Sequence, residues 1–236
     1  MSLSKRAQLS ILYPLATTVV LLAEELENWA NSRLFKWKTK SIPNPVMEPP
    51  KNKYATTSKP EKKIILGMGR FIKRKQFDLL IKIFSRLEKK FPDWNLHIVG
   101  DGPERPNLKA LIHSLNLEER VFLEQWSNDP YEWYYRAELF AFTSSFEGFG
   151  MTLAEALTCQ LPVISFDCPY GPSRIIDHQV NGYLVPLDDT KEFENKLGSL
   201  MNDEKLRTHL GSNGSKVLDK FSYNTIMKEW ETLIRN

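Results

Sequence analysis

Long hydrophobic runs and cysteines are both scarce in this 236-residue chain. No stretch reaches the roughly 18 to 20 apolar residues that a membrane-spanning helix needs, because Pro14 interrupts the most apolar segment and Glu24 ends it. The two cysteines, Cys159 and Cys168, have neither metal-ligand spacing nor a disulfide framework, which favours a reducing compartment. Nothing in the sequence resembles a cleavable signal peptide. These absences predict a cytoplasmic protein.

Several nucleotide and metal motifs are also absent. Two glycine-rich turns, at residues 67–69 and 100–102, lack the third glycine of a dinucleotide fingerprint, since Ile72 and Arg105 occupy that position. There is no P-loop. The net charge of +3 gives no sign of a nucleic-acid partner. We also predict no metal site, because the four histidines are scattered without ligand spacing and fit surface or packing positions: His97, His113, His178 and His209.

Apolar strands alternate with amphipathic helices from residue 62 onward. The pattern predicts strands at residues 62–68, 95–99, 121–123, 139–142, 162–166 and 182–185. One helix has a clear apolar face, made of Phe77, Leu80, Ile81, Phe84 and Leu87. Further helices are predicted near residues 130–137, 190–201, 203–219 and 223–235. This alternation predicts an α/β fold with a parallel sheet, in which ligands bind beyond the carboxyl ends of the strands.

The chain before this alternation has a different character. Residues 1–13 fit the end of a helix, residues 17–22 a buried strand, residues 23–34 a helix and residues 37–42 an extended piece. Five prolines then crowd the next 18 residues: Pro43, Pro45, Pro49, Pro50 and Pro60. Proline lacks the N–H donor and restricts the residue before it, so this stretch predicts a linker at a domain boundary.

An acidic, glycine-rich loop follows the predicted strand at residues 139–142. Glu147 lies in this loop, and Glu155 lies on the helix that follows. Gly148 and Gly150 let the backbone approach a ligand closely, and the N-terminus of the helix offers free N–H groups and a positive dipole end. Two carboxylates accept hydrogen bonds from hydroxyl groups, so the loop predicts a ligand with both phosphate and sugar. The alternatives are a helix-capping role for Glu147 and a solvated position for Glu155.

A basic turn follows the strand at residues 62–68. Arg70 and Lys75 lie beside Gly69 and can clamp a diphosphate, whereas Lys73 and Arg74 fit a solvated charge run.

Aromatic residues near the strand exits suggest sugar stacking, namely Trp126, Trp133, Tyr134 and Tyr135. For Trp133 and Tyr134 packing is the better interpretation, because both belong to a short predicted helix. Tyr170 lies in an open loop and favours neither interpretation.

The ordered motifs resemble one family over roughly residues 60–190. They are Gly69-Arg70 with Lys75, Gly100-Asp-Gly-Pro, Glu147-Gly-Phe-Gly with Glu155-Ala, Pro162-Val-Ile and Asn181-Gly-Tyr-Leu-Val-Pro. This series resembles the retaining glycosyltransferases of sequence family 4, which are GT-B enzymes with two Rossmann-like domains facing across a cleft. The segment from Phe166 to Ile176 is similar to a subset that acts on bacterial surface polysaccharide, lipooligosaccharide or teichoic acid. The chain departs from the family pattern at Gln76, where glycine is usual, and at Arg174, where that subset often has Glu.

The resemblance implies a division of the chain. Residues 1–42 would be a remnant of the N-terminal acceptor domain, residues 43–60 the linker, residues 61–220 the Rossmann-like donor-binding domain and residues 221–236 a C-terminal helix. About one Rossmann-sized domain of roughly 100–150 residues would then be missing from this chain.

The resemblance also implies roles for individual residues. Arg70 and Lys75 would neutralise the diphosphate of a nucleotide-sugar, Glu147 would bind hydroxyls of the donor sugar, and Glu155 would bind the ribose. Backbone groups nearby would complete the donor site: Gly69, Gly148, Phe149, Gly150, Met151, Thr152 and Leu153. The chain has no Asp-x-Asp motif, which disfavours the metal-dependent GT-A class, and we expect no cofactor beyond the nucleotide-sugar, which is the substrate.

The resemblance therefore predicts a retaining transferase of hexosyl type. The expected donor is a UDP-sugar, and the expected acceptor is a glycan or a lipid-linked glycan held by the missing domain. The expected location is the cytoplasm, with peripheral contact at the inner face of the cell membrane. Two alternatives stay open: a catalytically silent nucleotide-sugar binding module, and another GT-B activity such as an epimerase or a phosphorylase.

Overall fold

The computed structural model describes residues 16–27, 39–50, 53–54 and 60–235. The helix end predicted at residues 1–13 lies outside the described residues. So does the second half of the helix predicted at residues 23–34, of which residues 24–27 are described and helical.

A short parallel pair of strands precedes the main sheet. Strand β1 (Val19–Leu21) pairs with β2 (Thr39–Ser41), as the β-branched and extended segments predicted. The amide of Ile42 donates to the Leu21 carbonyl at 2.9 Å and prolongs this pairing. In the proline-rich stretch that follows, the Val46 amide donates to the Phe221 carbonyl at 2.7 Å, so the chain lies against the main body there. The domain boundary between residues 43 and 60 stays a prediction.

A six-stranded parallel sheet forms the centre of the fold. Its strands are β3 (Lys63–Met68), β4 (Trp94–Val99), β5 (Val121–Glu124), β6 (Leu139–Phe142), β7 (Val163–Asp167) and β8 (Gly182–Pro186). Their order is β5-β4-β3-β6-β7-β8, and every pair is parallel. The chain runs outward from β3 to β5 and then returns to place β6 on the other side of β3. Ligands of such sheets bind at this switch in strand order.

Helices cover both faces of the sheet. They are α1 (Phe77–Leu87), α2 (Arg105–Ser114), α3 (Pro130–Arg136), α4 (Met151–Thr158), α5 (Pro172–Ile175), α6 (Thr190–Asn202), α7 (Glu204–Ser212), α8 (Val217–Phe221) and α9 (Tyr223–Arg235). Because side chains alternate along a strand, Ile65 of β3 joins the core under α1, α2 and α6, while Leu66 joins the core under α3 and α4. This three-layer arrangement is the predicted Rossmann-like fold.

The helix predicted at residues 203–219 is wrong in its continuity. Helix α7 ends at Ser212, a 3-10 turn spans Gly214–Lys216, and α8 begins at Val217. The cluster Gly211-Ser-Asn-Gly-Ser has turn composition and interrupts the helical pattern. Glycine at position 214 also allows a close backbone contact, because a Cβ there would lie 2.3 Å from the carbonyl oxygen of Leu157 at the end of α4. No helix in the described part of the chain is long and apolar enough to span a bilayer.

Candidate functional site

The acidic loop and the basic turn meet at the carboxyl ends of β3 and β6. The Ser145 amide donates to the Arg74 carbonyl at 2.8 Å. The Thr143 hydroxyl donates to the carbonyls of Lys75 at 3.0 Å and of Gln76 at 3.1 Å. These bonds join segments about 70 residues apart in sequence, because β3 and β6 are neighbours in the sheet. The two motifs, which are separate in the sequence, are therefore adjacent in the structure.

A nearly buried ion pair lies where the two motifs meet. Lys75 Nζ is 2.6 Å from Glu147 Oε1, and the two side chains are only 13% and 10% exposed. The ammonium also lies 4.9 Å from the ring centroid of Phe142. Lysine carries three N–H donors, so two remain after the bond to Glu147. The pair can therefore bind anionic and hydroxyl groups of a ligand side by side.

Gly69 and Arg70 form the wall of an adjacent cleft. The cleft has a volume of about 490 Å³ and is lined by Gly69, Arg70, Lys75, Asp101, Trp126 and Thr152. Gly69 has φ of 151°, and a Cβ there would lie 3.3 Å from Lys75 Cε. Glycine at this position therefore leaves room for the Lys75 side chain. Arg70 is exposed and has no ion-pair partner among the described residues. Its guanidinium is available to an anion in the cleft.

Gln76 adopts the backbone shape for which the family pattern uses glycine. Its φ of 49° and ψ of 39° are left-handed, which costs a residue with a side chain about 1–2 kcal/mol. The Thr143 bond to its carbonyl helps to hold this shape. The turn that presents Lys75 therefore forms without glycine.

The start of α4 supplies backbone donors at the edge of the loop. Gly150 is left-handed, with φ of 101°, and its carbonyl accepts the amides of Leu153 at 3.0 Å and Ala154 at 3.1 Å. The amide of Leu153 thus donates within the helix, and its predicted contact with a ligand stays a prediction. The amides of Met151 and Thr152 precede the first intrahelical bond and point beyond the helix end.

Two predicted donor-site residues direct their side chains into the core. Phe149 is 2% exposed and its ring meets that of Phe221 in an edge contact at 5.1 Å. Leu153 is fully buried in the same apolar cluster. Gly148 lies under the N-terminal segment, since a Cβ there would lie 3.5 Å from Leu22 Cδ1. The side chains of Phe149 and Leu153 thus anchor the loop to the core and do not face a ligand.

Glu155 is half-buried and hydrogen-bonded, which excludes the solvated alternative. The hydroxyl of Tyr134 donates to Glu155 Oε2 at 2.9 Å. Burial raises the pKa of Glu155, and the bond from Tyr134 partly opposes that rise. Tyr134 is 1% exposed, so the packing prediction holds for its ring. The contact of its hydroxyl with a predicted site residue was missed.

The other aromatic residues separate into packing and cleft positions. Trp133 lies 5.5 Å from the His97 ring and 5.0 Å from the Arg136 guanidinium, so it packs on its surroundings as predicted. Trp126 is 53% exposed and lines the cleft. Tyr170 has a left-handed φ of 73° and meets the exposed ring of Phe146 at 5.5 Å, beside Glu147. Within the described ranges, no group of three or more His, Cys, Asp or Glu side chains is arranged to hold a metal ion.

Comparison with known proteins agrees with this geometry. The family model described as glycosyl transferases group 1 matches residues 50–217. The chain belongs to this family. The predicted family and the Rossmann-like fold are therefore confirmed, and the candidate site of this glycosyltransferase chain lies at the switch in strand order.

Relatives of this glycosyltransferase chain include both characterized and uncharacterized glycosyltransferases. It is 34% identical over 202 residues to an uncharacterized glycosyltransferase of Haemophilus influenzae, covering 84% of this chain and 56% of that protein. It is 31% identical over 175 residues to the poly(ribitol-phosphate) alpha-N-acetylglucosaminyltransferase of Staphylococcus aureus, covering 74% of this chain and 36% of that protein. The chain thus spans about a third to a half of the length of these relatives.

A solved structure supports the same fold. A mutant of S. aureus TarM, in complex with fondaparinux, alpha-GlcNAc-glycerol and UDP, superposes with a TM-score of 0.86 at 28% identity. The match covers 93% of this chain and 44% of that one.

Proposed function

We propose that this chain is the donor-binding part of a retaining, hexosyl-type glycosyltransferase that uses a UDP-sugar. The observation that carries the proposal is the nearly buried Lys75–Glu147 pair beside the cleft lined by Arg70 and the start of α4. Cations suit the diphosphate, and a carboxylate suits the hydroxyls of the sugar. The presence of UDP in the similar TarM complex supports the choice of nucleotide.

The proposed chemistry follows from where these groups lie. Arg70 and Lys75 stabilise the negative charge that develops on the departing nucleoside diphosphate, with the amides of Met151 and Thr152 as further donors. Glu147 orients the donor sugar through its hydroxyls, and Glu155 accepts hydrogen bonds from the ribose. In this proposal, the two cations supply the positive charge at the diphosphate, and no metal or other cofactor is needed.

The proposed acceptor is a glycan or lipid-linked glycan of a cell-surface polymer, bound by a domain outside this chain. Residues 1–42 would belong to that domain. Two observations support this proposal: the name of the S. aureus relative, a poly(ribitol-phosphate) alpha-N-acetylglucosaminyltransferase, and the share of the relatives' length that the chain spans. A membrane-bound acceptor would bring the enzyme to the inner face of the membrane.

Titration calorimetry with nucleoside diphosphates tests the donor assignment. We expect UDP and UDP-N-acetylglucosamine to bind at one site, because the site combines diphosphate, ribose and sugar contacts. Uridine, which lacks the phosphates, should bind far more weakly than UDP. If none of these diphosphates gives heat with the folded chain, the proposed function is wrong.

A turnover assay with this chain alone tests whether the acceptor site lies in another domain. The second candidate function, a catalytically silent nucleotide-sugar binding module, is supported by the span of the chain, which is 56% and 36% of its two relatives. We expect the chain alone to bind UDP-sugar without transferring the sugar to a glycan acceptor. Rapid transfer by this chain alone would contradict the assignment of the acceptor site to another domain.

A further inference from the structure

Tyr134 is the residue through which α3 reaches the predicted ribose site on α4. Its ring is fully buried and meets Phe140 of β6 in an edge contact at 5.8 Å, and Tyr131 in another at 6.1 Å. These contacts hold the ring and therefore fix the position of its hydroxyl oxygen. That hydroxyl lies 2.9 Å from Glu155 Oε2.

The hydrogen bond from Tyr134 uses one oxygen of the Glu155 carboxylate, Oε2, and leaves Oε1 without a hydrogen bond from the described residues. Tyr134 is the only hydrogen-bond donor to the Glu155 carboxylate within the described part of the chain, and the residue is half-buried, not enclosed. A carboxylate has about four lone-pair sites, and Tyr134 occupies one of them. Oε1 therefore remains available to accept from a neighbouring pair of hydroxyls.

We propose that Tyr134 is a positioning residue that holds the Glu155 carboxylate in the orientation that recognises the ribose hydroxyls of the nucleotide. This inference rests on the proposed function, because it takes Glu155 as the ribose acceptor. A glutamate side chain has three rotatable bonds, and an oriented carboxylate loses less freedom when a ligand binds. The residue thus acts through Glu155 and touches no substrate itself.

The test compares UDP with 2′,3′-dideoxy-UDP by calorimetry, using the full chain and Tyr134→Phe. We expect Tyr134→Phe to weaken UDP about five- to tenfold, while the affinity for the dideoxy compound changes less than about twofold. The matched control is Tyr131→Phe, which removes a hydroxyl from the same helix one turn away. It should leave both affinities unchanged.

A double-mutant cycle distinguishes positioning from a general effect on folding. In a Glu155→Gln background, Tyr134→Phe should no longer change the ratio of the UDP and dideoxy-UDP affinities, because the group that it positions is gone. Thermal melting of each variant confirms that the measured chain is folded. If Tyr134→Phe weakens both ligands equally, or neither, the inference is wrong while the proposed function stands.

The two proposals fail in different ways. Absence of UDP binding to the unchanged chain overturns the proposed function and this inference with it. Equal affinity of the unchanged chain for UDP and its dideoxy analogue overturns only the role of Glu155 and therefore of Tyr134.

The pH profile gives a second readout. The titratable groups that interact with Glu155 are Tyr134 and Tyr131 of α3 and Cys159 at the end of its own helix. Burial, with the nearby Glu155 charge, raises the pKa of Tyr131 to about 12, and burial raises the pKa of Cys159 to about 12, so both are neutral near pH 7. Loss of the Tyr134 bond removes the contact that lowers the pKa of Glu155. The pH below which the affinity for UDP falls should therefore be higher in Tyr134→Phe than in the unchanged chain. An unchanged pH dependence would contradict the inference.

Discussion

Lys75→Ala should lower the free energy of unfolding by about 3 kcal/mol. The substitution leaves the Glu147 carboxylate, which is 10% exposed, without the ammonium 2.6 Å away. A buried charge without its partner is more costly than a missing pair. Glu147→Gln in the Lys75→Ala background should therefore recover part of the loss. Denaturant unfolding of Lys75→Ala, Glu147→Gln and the double variant measures the coupling energy between the two side chains. Strictly additive losses of stability would contradict the coupling.

The same substitution should separate diphosphate from nucleoside binding. Because a bond to a charged group contributes about 1.5–3 kcal/mol, UDP should bind about 10- to 100-fold more weakly to Lys75→Ala, with little change for uridine. Lys73→Ala is the matched control, since Lys73 is an exposed lysine of the same basic turn. Equal losses for UDP and uridine would remove Lys75 from the proposed diphosphate site.

Gly100→Ala should lower the free energy of unfolding by about 3 kcal/mol, from overpacking and backbone strain together. Gly100 follows β4 with φ of 155°, and a Cβ there would lie 2.0 Å from the Gly69 carbonyl oxygen. Relief of that overlap must move the backbone beside Lys75, so UDP binding should weaken as well. Thermal unfolding should show a fall in Tm of roughly 6–12 °C.

Gly198→Ala provides the comparison for Gly100→Ala. Gly198 lies within α6, and a Cβ there would meet Leu87 Cδ2 at 3.6 Å, which is ordinary contact. Alanine favours a helix interior by about 0.5–1 kcal/mol over glycine, so this variant should be as stable as the unchanged chain or more so. Similar destabilisation by both substitutions would show that the carbonyl overlap is not the cause.

The central strands of the main sheet follow closely from the sequence because they are buried on both faces. The prediction of residues 62–68 differs from β3 by one residue, and that of residues 139–142 matches β6. Fully buried parallel strands appear as continuous apolar runs, which need no tertiary information. The break between α7 and α8 falls at Gly211-Ser-Asn-Gly-Ser, a cluster of turn-type residues that the prediction of one helix over residues 203–219 overlooked.

The candidate site could be predicted only in part from the sequence, because its side-chain contacts depend on how distant elements pack together. Glycines and charges at strand exits indicated both halves of the Lys75–Glu147 pair, and parallel strands bring such exits to one edge. The direct bond between the two side chains depends on β6 returning beside β3, which the pattern of elements does not specify. The Tyr134–Glu155 bond depends on the angle at which α3 packs. The position of a tyrosine in an apolar helical pattern does not identify the hydrogen-bond partner of its hydroxyl.

The bond from Arg174 Nη1 to the Leu22 carbonyl, at 2.7 Å, connects residues 152 positions apart and has a consequence for the order of folding. Arg174 lies on α5, which follows β7, so its guanidinium takes its place only when the central sheet has assembled. Closing so long a loop early would cost chain entropy with no contacts yet formed to offset it. We therefore expect the segment around β1 to dock late in folding, and its amides to be among the first to exchange with solvent in a native-state hydrogen-exchange measurement.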